Sequence, residues 1–219
     1  MHQTTTGANS MPYKGLILDF AGVLTEGVYQ AHEAWCAAHG LDPQAWRATL
    51  NTHPEARAHY RALEVGEMSQ VEFNRRTALL LGVADDDNLM GRVWADVRPS
   101  TGMIALAKAA RSAGYVVAML SNSFGLSPYD PYTHMRVRDL FDVMVISELE
   151  GVAKPNPVIY QRTLDLMGLS GAECVFADDH LANLPPAESL GIRTVHVTSP
   201  DAAAITLKGL LGLSVSCLA

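Results

Sequence analysis

The chain has 219 residues, of which 48% are apolar, so it is long enough to fold as a globular protein around a hydrophobic core. Its 16 basic and 23 acidic residues give a net charge of −7 and form no basic run, which argues against nucleic acid or an anionic membrane as a partner. We therefore expect a small-molecule partner.

The first 13 residues are polar and lack the apolar centre of a secretory signal peptide. Nowhere does an apolar run approach the roughly 18 residues that a membrane span requires. We therefore expect a cytoplasmic protein. Cys36, Cys174 and Cys217 are widely spaced and odd in number, which predicts free buried thiols rather than disulfides or a zinc site.

Short apolar runs predict five strands, at residues 14–20, 115–120, 142–147, 174–178 and 193–197. These runs are continuous rather than alternating, as in a parallel sheet that is covered on both faces. Helical patterns fall between them, at 100–114, 156–168 and 184–191, and another follows at 201–213. Strands that alternate with helices predict an α/β fold with a doubly wound, Rossmann-like core around a five-stranded parallel sheet.

The segment that follows the first strand departs from this alternation, because it holds helical patterns and no convincing strand. Asp42 before Pro43 predicts a helix start, and so does Ser69, which with Glu72 has the spacing of a capping box. Residues 53–64 also have a helical pattern.

These patterns predict an all-helical cap at residues 26–97. The α/β core would then comprise residues 14–25 and 98–219, preceded by a polar tail at 1–13. A helical insertion at the carboxyl end of the sheet is suited to close over a ligand.

Polar side chains lie at four of the predicted strand ends, where ligands bind in open parallel sheets. They are Asp19, Ser121, Asn122, Lys154, Asp178 and Asp179. Three neighbouring carboxylates need a counter-charge, and Mg²⁺ bound by oxygen ligands supplies one. The added lysine suits a small organic phosphate as substrate, with Asp19 available as the nucleophile.

The sequence around these residues resembles the haloacid dehalogenase-like hydrolase superfamily. Four segments are similar to the four motifs of the family: LDFAGVLT (18–25), MLSNS (119–123), GVAKPNPVIY (151–160) and VFADDHLANLPPAESLG (175–191). A further segment, EVGEMSQVEFNRR (64–76), resembles the helical cap of the subclass whose cap lies between the first two motifs.

The resemblance implies a phosphatase that forms an aspartyl-phosphate. Asp19 would be the nucleophile, and Ser121 and Asn122 would bind the phosphoryl oxygens. Lys154 would balance the charge on the nucleophile and the phosphate.

The resemblance also implies a magnesium site. Asp19, the backbone carbonyl of Ala21 and Asp179 would be its ligands, Asp178 would lie beside them, and Asn183 would have a supporting role.

Position 21 departs from the family pattern. Most phosphatases of the family carry a second Asp there, which protonates the leaving alkoxide and then activates water. Ala21 keeps the backbone carbonyl but removes this general acid/base, a loss of about 10²–10⁴-fold in rate unless another group replaces it.

Several explanations of Ala21 stay open. Phosphonate-cleaving relatives also have Ala here, but they need a cap lysine, and residues 26–97 contain no lysine. A metal-free 2-haloacid dehalogenase would need no proton carrier, although such enzymes lack the double-aspartate motif. Phosphate esters with acidic leaving groups would not need one either.

Another residue could also replace the missing acid, and Glu26 and His180 are close to the motifs in sequence. An engineered Asp-to-Ala change would fit Ala21 as well. So would a pseudoenzyme that binds a phosphorylated ligand.

Aromatic residues complete the sequence-based expectations. Trp35, Trp46 and Trp94 are expected to pack inside the cap. Tyr129 or Tyr132, in the loop after the second motif, is expected to line the substrate pocket, because loops at that edge of the sheet usually shape it.

Overall fold

The computed structural model describes residues 13–213 of the chain. The strands in this part are β1 (Gly15–Leu18), β2 (Thr25–Glu26), β3 (Arg98–Pro99), β4 (Val116–Ser121), β5 (Val143–Ile146), β6 (Cys174–Asp178) and β7 (Arg193–His196). Five of them form a parallel sheet in the order β5-β4-β1-β6-β7. They are the five predicted strands, so the α/β fold class is confirmed.

The helices of the described residues are α1 (Val28–Ala38), α2 (Ala45–Thr52), α3 (Pro54–Glu64), α4 (Gln70–Leu81), α5 (Leu89–Val93), α6 (Thr101–Ser112), α7 (Pro131–His134), α8 (Ser147–Glu150), α9 (Pro157–Met167), α10 (Leu184–Ser189) and α11 (Pro200–Leu210). Short 3₁₀ helices occur at Arg138–Leu140, Gly171–Glu173 and Leu181–Asn183. Among the described residues, no helix combines the length and hydropathy needed to cross a membrane.

The sheet is buried on both faces, which explains its continuous apolar strands. In β1, Leu16 and Leu18 pack into one hydrophobic cluster, and Ile17 points to the opposite face and packs into the second. Each of these side chains is fully or almost fully buried. Successive side chains of a strand point to opposite faces of the sheet. A strand with both faces buried therefore has no position that favours a polar side chain.

Helices α1 to α5 follow one another between β2 and β3, within the segment predicted as a cap. β2 and β3 pair as a two-residue antiparallel ribbon, with Thr25 opposite Pro99 and Glu26 opposite Arg98. The ribbon brings together the two connections between these helices and the sheet. The sequence pattern does not predict this ribbon, because two residues are too few to show an alternating pattern.

The predicted helix starts are partly wrong. Ser69 caps α4 by accepting a hydrogen bond from the backbone N–H of Glu72, at 3.2 Å. The Glu72 carboxylate binds Arg75 and Arg76 on its own helix, and within residues 13–213 it makes no bond to the backbone N–H of Ser69 that would complete the capping box. Asp42 accepts a hydrogen bond from the backbone N–H of Gln44, and α2 begins only after that turn.

Cys36 and Cys174 are buried free thiols, as predicted. Cys217 lies outside the described residues, as does the predicted tail up to residue 12.

The close approach at Gly171 gives a stability prediction. A Cβ atom at this position would lie 1.9 Å from the carbonyl oxygen of Leu190, a backbone atom that cannot rotate away. Gly171→Ala is expected to lower the free energy of unfolding by about 3 kcal/mol, measured by urea denaturation. Gly209→Ala is the matched control, because its Cβ would meet no atom of residues 13–213 within 4 Å. Equal unfolding midpoints for Gly171→Ala and the wild type would contradict the prediction.

Candidate active site

Three carboxylates converge where β1 and β6 end. Asp19 directly follows β1, Asp178 ends β6, and Asp179 comes next in the chain. The two strands are hydrogen-bonded neighbours in parallel register, with Leu18 beside Ala177. One carboxylate oxygen from each aspartate lies within 4.8 Å of the other two. Such a cluster needs positive charge close by.

Lys154 supplies a buried positive charge to this cluster. Its Nζ donates hydrogen bonds to Asp19 Oδ1 at 2.7 Å, to Asp178 Oδ2 at 2.6 Å and to the carbonyl oxygen of Leu120 at 3.0 Å. Burial alone would lower the pKa of Lys154, but the attraction of Asp19 and Asp178 outweighs burial and raises it. Lys154 is therefore a permanent cation with all three of its N–H donors used.

Burial raises the pKa of the Asp19 carboxyl to about 7. Lys154 opposes this shift, and the neighbouring charges of Asp178 and Asp179 add to it. Only Oδ1 of Asp19 is hydrogen-bonded within the described residues, so Oδ2 is left for another ligand.

Asp178 and Asp179 differ in their hydrogen bonding. Asp178 accepts two bonds from Asn183 Nδ2, both at 3.0 Å, and one from the backbone N–H of His180, in addition to that of Lys154. Asp179 Oδ1 is buried and has no partner among the described residues. Asp178 is therefore held in place by its neighbours. Burying the Oδ1 atom of Asp179 without a hydrogen bond costs free energy, which a ligand at this atom would recover.

This donor set fits a hard divalent cation such as Mg²⁺. Carboxylate and carbonyl oxygens are its preferred ligands, and Asp179 Oδ1 is an acceptor in a cluster of carboxylates that no other described residue satisfies. Gly22 keeps the space beside Asp179 free, because a Cβ there would lie 2.7 Å from Asp179 Oδ2 and the residue has a φ of +74°. Ala21, next to Gly22, lines the cavity that Asp19 and Asp179 also border.

The structure also brings Asn122 to this site, with its amide bonded to the backbone of Lys154. Asn122 Oδ1 accepts from the N–H of Lys154 at 2.8 Å, and Nδ2 donates to its carbonyl oxygen at 3.0 Å. Ser121 is buried at the end of β4, where its Oγ accepts from the Tyr132 hydroxyl and donates to the carbonyl oxygen of Asn122. The amide of Asn122 thus fixes the loop that carries Lys154.

A cavity of about 600 Å³ lies over the carboxylates. Asp19, Lys154 and Asp179 line its polar part. Its aromatic lining consists of Tyr29, Trp46, Tyr60, Trp94 and Phe124. A cavity of this size holds a small organic molecule.

The expectation that Tyr129 or Tyr132 lines this cavity is wrong. Neither residue is among those that line it. Tyr132 is fully buried with its hydroxyl bonded to Ser121, and the backbone N–H of Tyr129 donates to Gln70 Oε1 at 2.8 Å. Both rings therefore pack in the hydrophobic core. The three tryptophans are buried as expected, although Trp46 and Trp94 also border the cavity.

Glu64, the last residue of α3, is a lining residue that the sequence analysis did not identify. Its Oε1 accepts a hydrogen bond from Asn122 Nδ2 at 3.2 Å. Burial raises the pKa of Glu64 to about 7, against the opposing effects of this hydrogen bond and of the charges of Lys154 and Arg61. Helical spacing places Glu64 on the same face as Tyr60, but no sequence signal shows that this face borders the cavity.

Comparison with known proteins decides the family. The family pattern of the haloacid dehalogenase-like hydrolases matches residues 13–191. The chain belongs to the haloacid dehalogenase-like hydrolases. The resemblance inferred from the motifs is thus confirmed.

Several curated proteins are similar to this haloacid dehalogenase-like chain. Acyl-CoA dehydrogenase family member 10 of Mus musculus is 42% identical over 47% of this chain and 9% of that protein. A sesquiterpene phosphatase of Aspergillus oryzae is 32% identical over 53% of this chain and 59% of its own length. The chain thus spans less than two thirds of either relative. An enolase-phosphatase of Sorangium cellulosum is 26% identical over 89% of this chain and 91% of that protein.

Solved structures of this hydrolase family share the fold. A family enzyme from Bacteroides thetaiotaomicron superposes with a TM-score of 0.66 and 22% identity, covering 88% of this chain and 98% of that one. A second structure of that enzyme, in complex with magnesium and inorganic phosphate, has a TM-score of 0.62 and 22% identity, covering 85% of this chain and 96% of that one.

Proposed function

We propose that this hydrolase is a Mg²⁺-dependent phosphatase that acts on a small organic phosphate. The observation that carries the proposal is the buried Lys154 bridge between Asp19 and Asp178, beside an oxygen of Asp179 that has no partner in the described part of the chain. A phosphoryl group needs fixed positive charge and a positioned nucleophile, and this arrangement supplies both. The phosphatases among the relatives support the same reaction class.

Asp19 begins the proposed reaction as the nucleophile. Lys154 holds Oδ1, so Oδ2 is the oxygen free to attack phosphorus. The bond from phosphorus to the ester oxygen breaks, and the leaving oxygen needs a proton. Water then attacks phosphorus in the aspartyl-phosphate, which releases inorganic phosphate and restores the Asp19 carboxylate.

The predicted metal ligands are Asp19, the carbonyl oxygen of Ala21, and Asp179, with Asp178 beside them. When bound, Mg²⁺ supplies positive charge for the phosphoryl oxygens. Asn183 and Lys154 hold Asp178 in place. Ser121 and Asn122 stay predicted phosphate-binding residues, with the Asn122 amide also fixing the Lys154 loop.

An assay for released phosphate and released halide tests the proposal. The substrates are an aryl phosphate, an alkyl phosphate and a 2-haloacid, each incubated with Mg²⁺ and with a chelator. We expect phosphate release from the aryl ester that is lost in chelator, because the three carboxylates bind the ester poorly without a cation.

Two other outcomes would contradict the phosphatase proposal. Halide release that persists in chelator would indicate a metal-free dehalogenase. The other outcome is that phosphate compounds stabilise both the wild type and Ala21→Asp against heat, but neither protein turns them over. This result would indicate a ligand-binding pseudoenzyme.

A further inference from the structure

We infer that Glu64 is the general acid and base of the reaction. It would take the role that a second Asp at position 21 has in the family pattern. This inference rests on the proposed phosphatase function. It assigns a catalytic residue to the helical segment that precedes β3, outside the four sequence motifs of the core.

The end of α3 is attached to the core at two points around Glu64. The Ser147 hydroxyl, at the start of α8, donates to the carbonyl oxygen of Glu64. The side chain is bound separately, through the bond from Asn122 Nδ2 to Oε1. Both its main chain and its carboxyl group are thus fixed relative to the strand ends that carry the nucleophile.

Glu64 lies on the wall of the reaction cavity and has one carboxyl oxygen without a hydrogen bond among the described residues. It lines the same cavity as Asp19 and Ala21. Within the described residues only Oε1 is hydrogen-bonded, so Oε2 is the atom that can hold a proton. A general acid must be held at a fixed position in the cavity where the leaving oxygen lies. A carboxyl group fixed on the cavity wall meets this requirement.

The surroundings of Glu64 keep both of its protonation states accessible. Its pKa of about 7 reflects burial, opposed by Asn122, Lys154 and Arg61. Glu148 of α8 lies beside Gly66, two residues after Glu64. Its carboxylate accepts a hydrogen bond from the Ser123 hydroxyl at 2.8 Å. A group that both gives and accepts a proton near neutral pH is what the two halves of the reaction need.

The two replacements suggested by sequence proximity are less suitable. Glu26 and His180 also line the cavity, but both residues are exposed. Within the described residues neither side chain makes a hydrogen bond that fixes it, whereas Glu64 is held by Asn122. Proximity in sequence to the motifs is thus a poorer guide than position on the cavity wall.

The proton balance of the reaction closes with Glu64. As Oδ2 of Asp19 bonds to phosphorus and the ester bond breaks, the protonated Glu64 gives its proton to the leaving oxygen, which departs as an alcohol. The Glu64 carboxylate then takes a proton from water as the water oxygen bonds to phosphorus. The bond to Asp19 breaks, phosphate leaves, and Glu64 is protonated again.

Glu64→Gln tests this role, because Gln keeps the acceptor for Asn122 but cannot shuttle a proton. With an aryl phosphate, whose phenolate leaves without a proton, formation of the aspartyl-phosphate is expected to stay fast while its hydrolysis slows. The time course should therefore show a burst of about one phenolate per active site, followed by a steady state about 10²-fold slower than the wild type. With an alkyl phosphate no burst is expected, because the first step also slows.

Three further variants complete the test. Ala21→Asp in the Glu64→Gln background is expected to restore steady turnover, since Asp at position 21 supplies a carrier in the family pattern. Glu26→Gln tests the competing candidate on the same cavity. Glu55→Gln, at the exposed start of α3 and outside the cavity lining, is the matched control and should behave as the wild type. The burst amplitude also counts folded active sites, so a folding defect would be visible.

The inference is overturned if Glu64→Gln turns over both esters like the wild type, or slows both equally without a burst. It is also overturned if Glu26→Gln produces the burst, or if Asp at position 21 fails to restore turnover. Failure of the phosphatase proposal gives a different result, because then neither the wild type nor Ala21→Asp releases phosphate from any ester.

Discussion

Asp19→Asn is expected to lower phosphate release by roughly four orders of magnitude or more while leaving the fold intact. The amide oxygen of Asn can still accept the hydrogen bond that Lys154 donates to Oδ1, so the buried lysine keeps a partner. The amide cannot form an acyl phosphate, so the covalent route is closed. Steady-state rates with an aryl phosphate and Mg²⁺ measure the loss.

The control for this variant is Asp87→Asn, in the exposed turn before α5, which removes the same charge at a residue that does not line the cavity. It should leave the rate unchanged. Activity of Asp19→Asn within about tenfold of the wild type would show that Asp19 is not the nucleophile.

Lys154→Met is expected to lower the free energy of unfolding by about 3–5 kcal/mol at pH 8 in the presence of a chelator. Lys154 is buried and bonded to Asp19 and Asp178, so its removal leaves two buried carboxylates without their cation. Methionine has a similar length and fills the space, which separates the loss of charge from the loss of packing. Urea denaturation followed by circular dichroism measures the change.

Lys108→Met, on the exposed face of α6, is the matched control for this stability measurement. A surface substitution of this kind is expected to change the free energy of unfolding by less than about 0.5 kcal/mol. If Lys154→Met unfolded at the same urea concentration as Lys108→Met, the bridge would contribute nothing to stability, and its place in the account would be wrong.

The core could be predicted from the sequence because its strands have a distinctive pattern. Leu16, Ile17 and Leu18 are apolar without alternation, since both faces of β1 are covered by helices. The site followed from the same prediction, because parallel strands end at one edge of the sheet. Asp19 and Asp178 meet there as a consequence of strand pairing rather than of sequence proximity.

The parts that could not be predicted depend on packing between distant segments. The position of Glu64 follows from how α3 meets the core at Ser147 and Asn122, and no local pattern encodes that meeting. Glu72 had the spacing of a capping residue, but two arginines on its own helix bind its carboxylate instead. Local rules fail at such positions because a tertiary or neighbouring partner offers the side chain a better contact.

The division of the chain into a core and a cap at residues 26–97 remains a prediction. The ribbon formed by β2 and β3 lies at both proposed boundaries. The Glu64 contacts with Ser147 and Asn122 join the predicted cap to the core.

Trapping the covalent intermediate tests whether Asp19 is the nucleophile. The protein is mixed with an aryl phosphate and Mg²⁺, quenched in acid during turnover and reduced with borohydride, which converts an acyl phosphate to an alcohol. We predict that mass spectrometry of the digested protein finds homoserine in place of Asp19, and only when both Mg²⁺ and the ester are present. Continued phosphate release with an unmodified Asp19 under the same conditions would contradict the account.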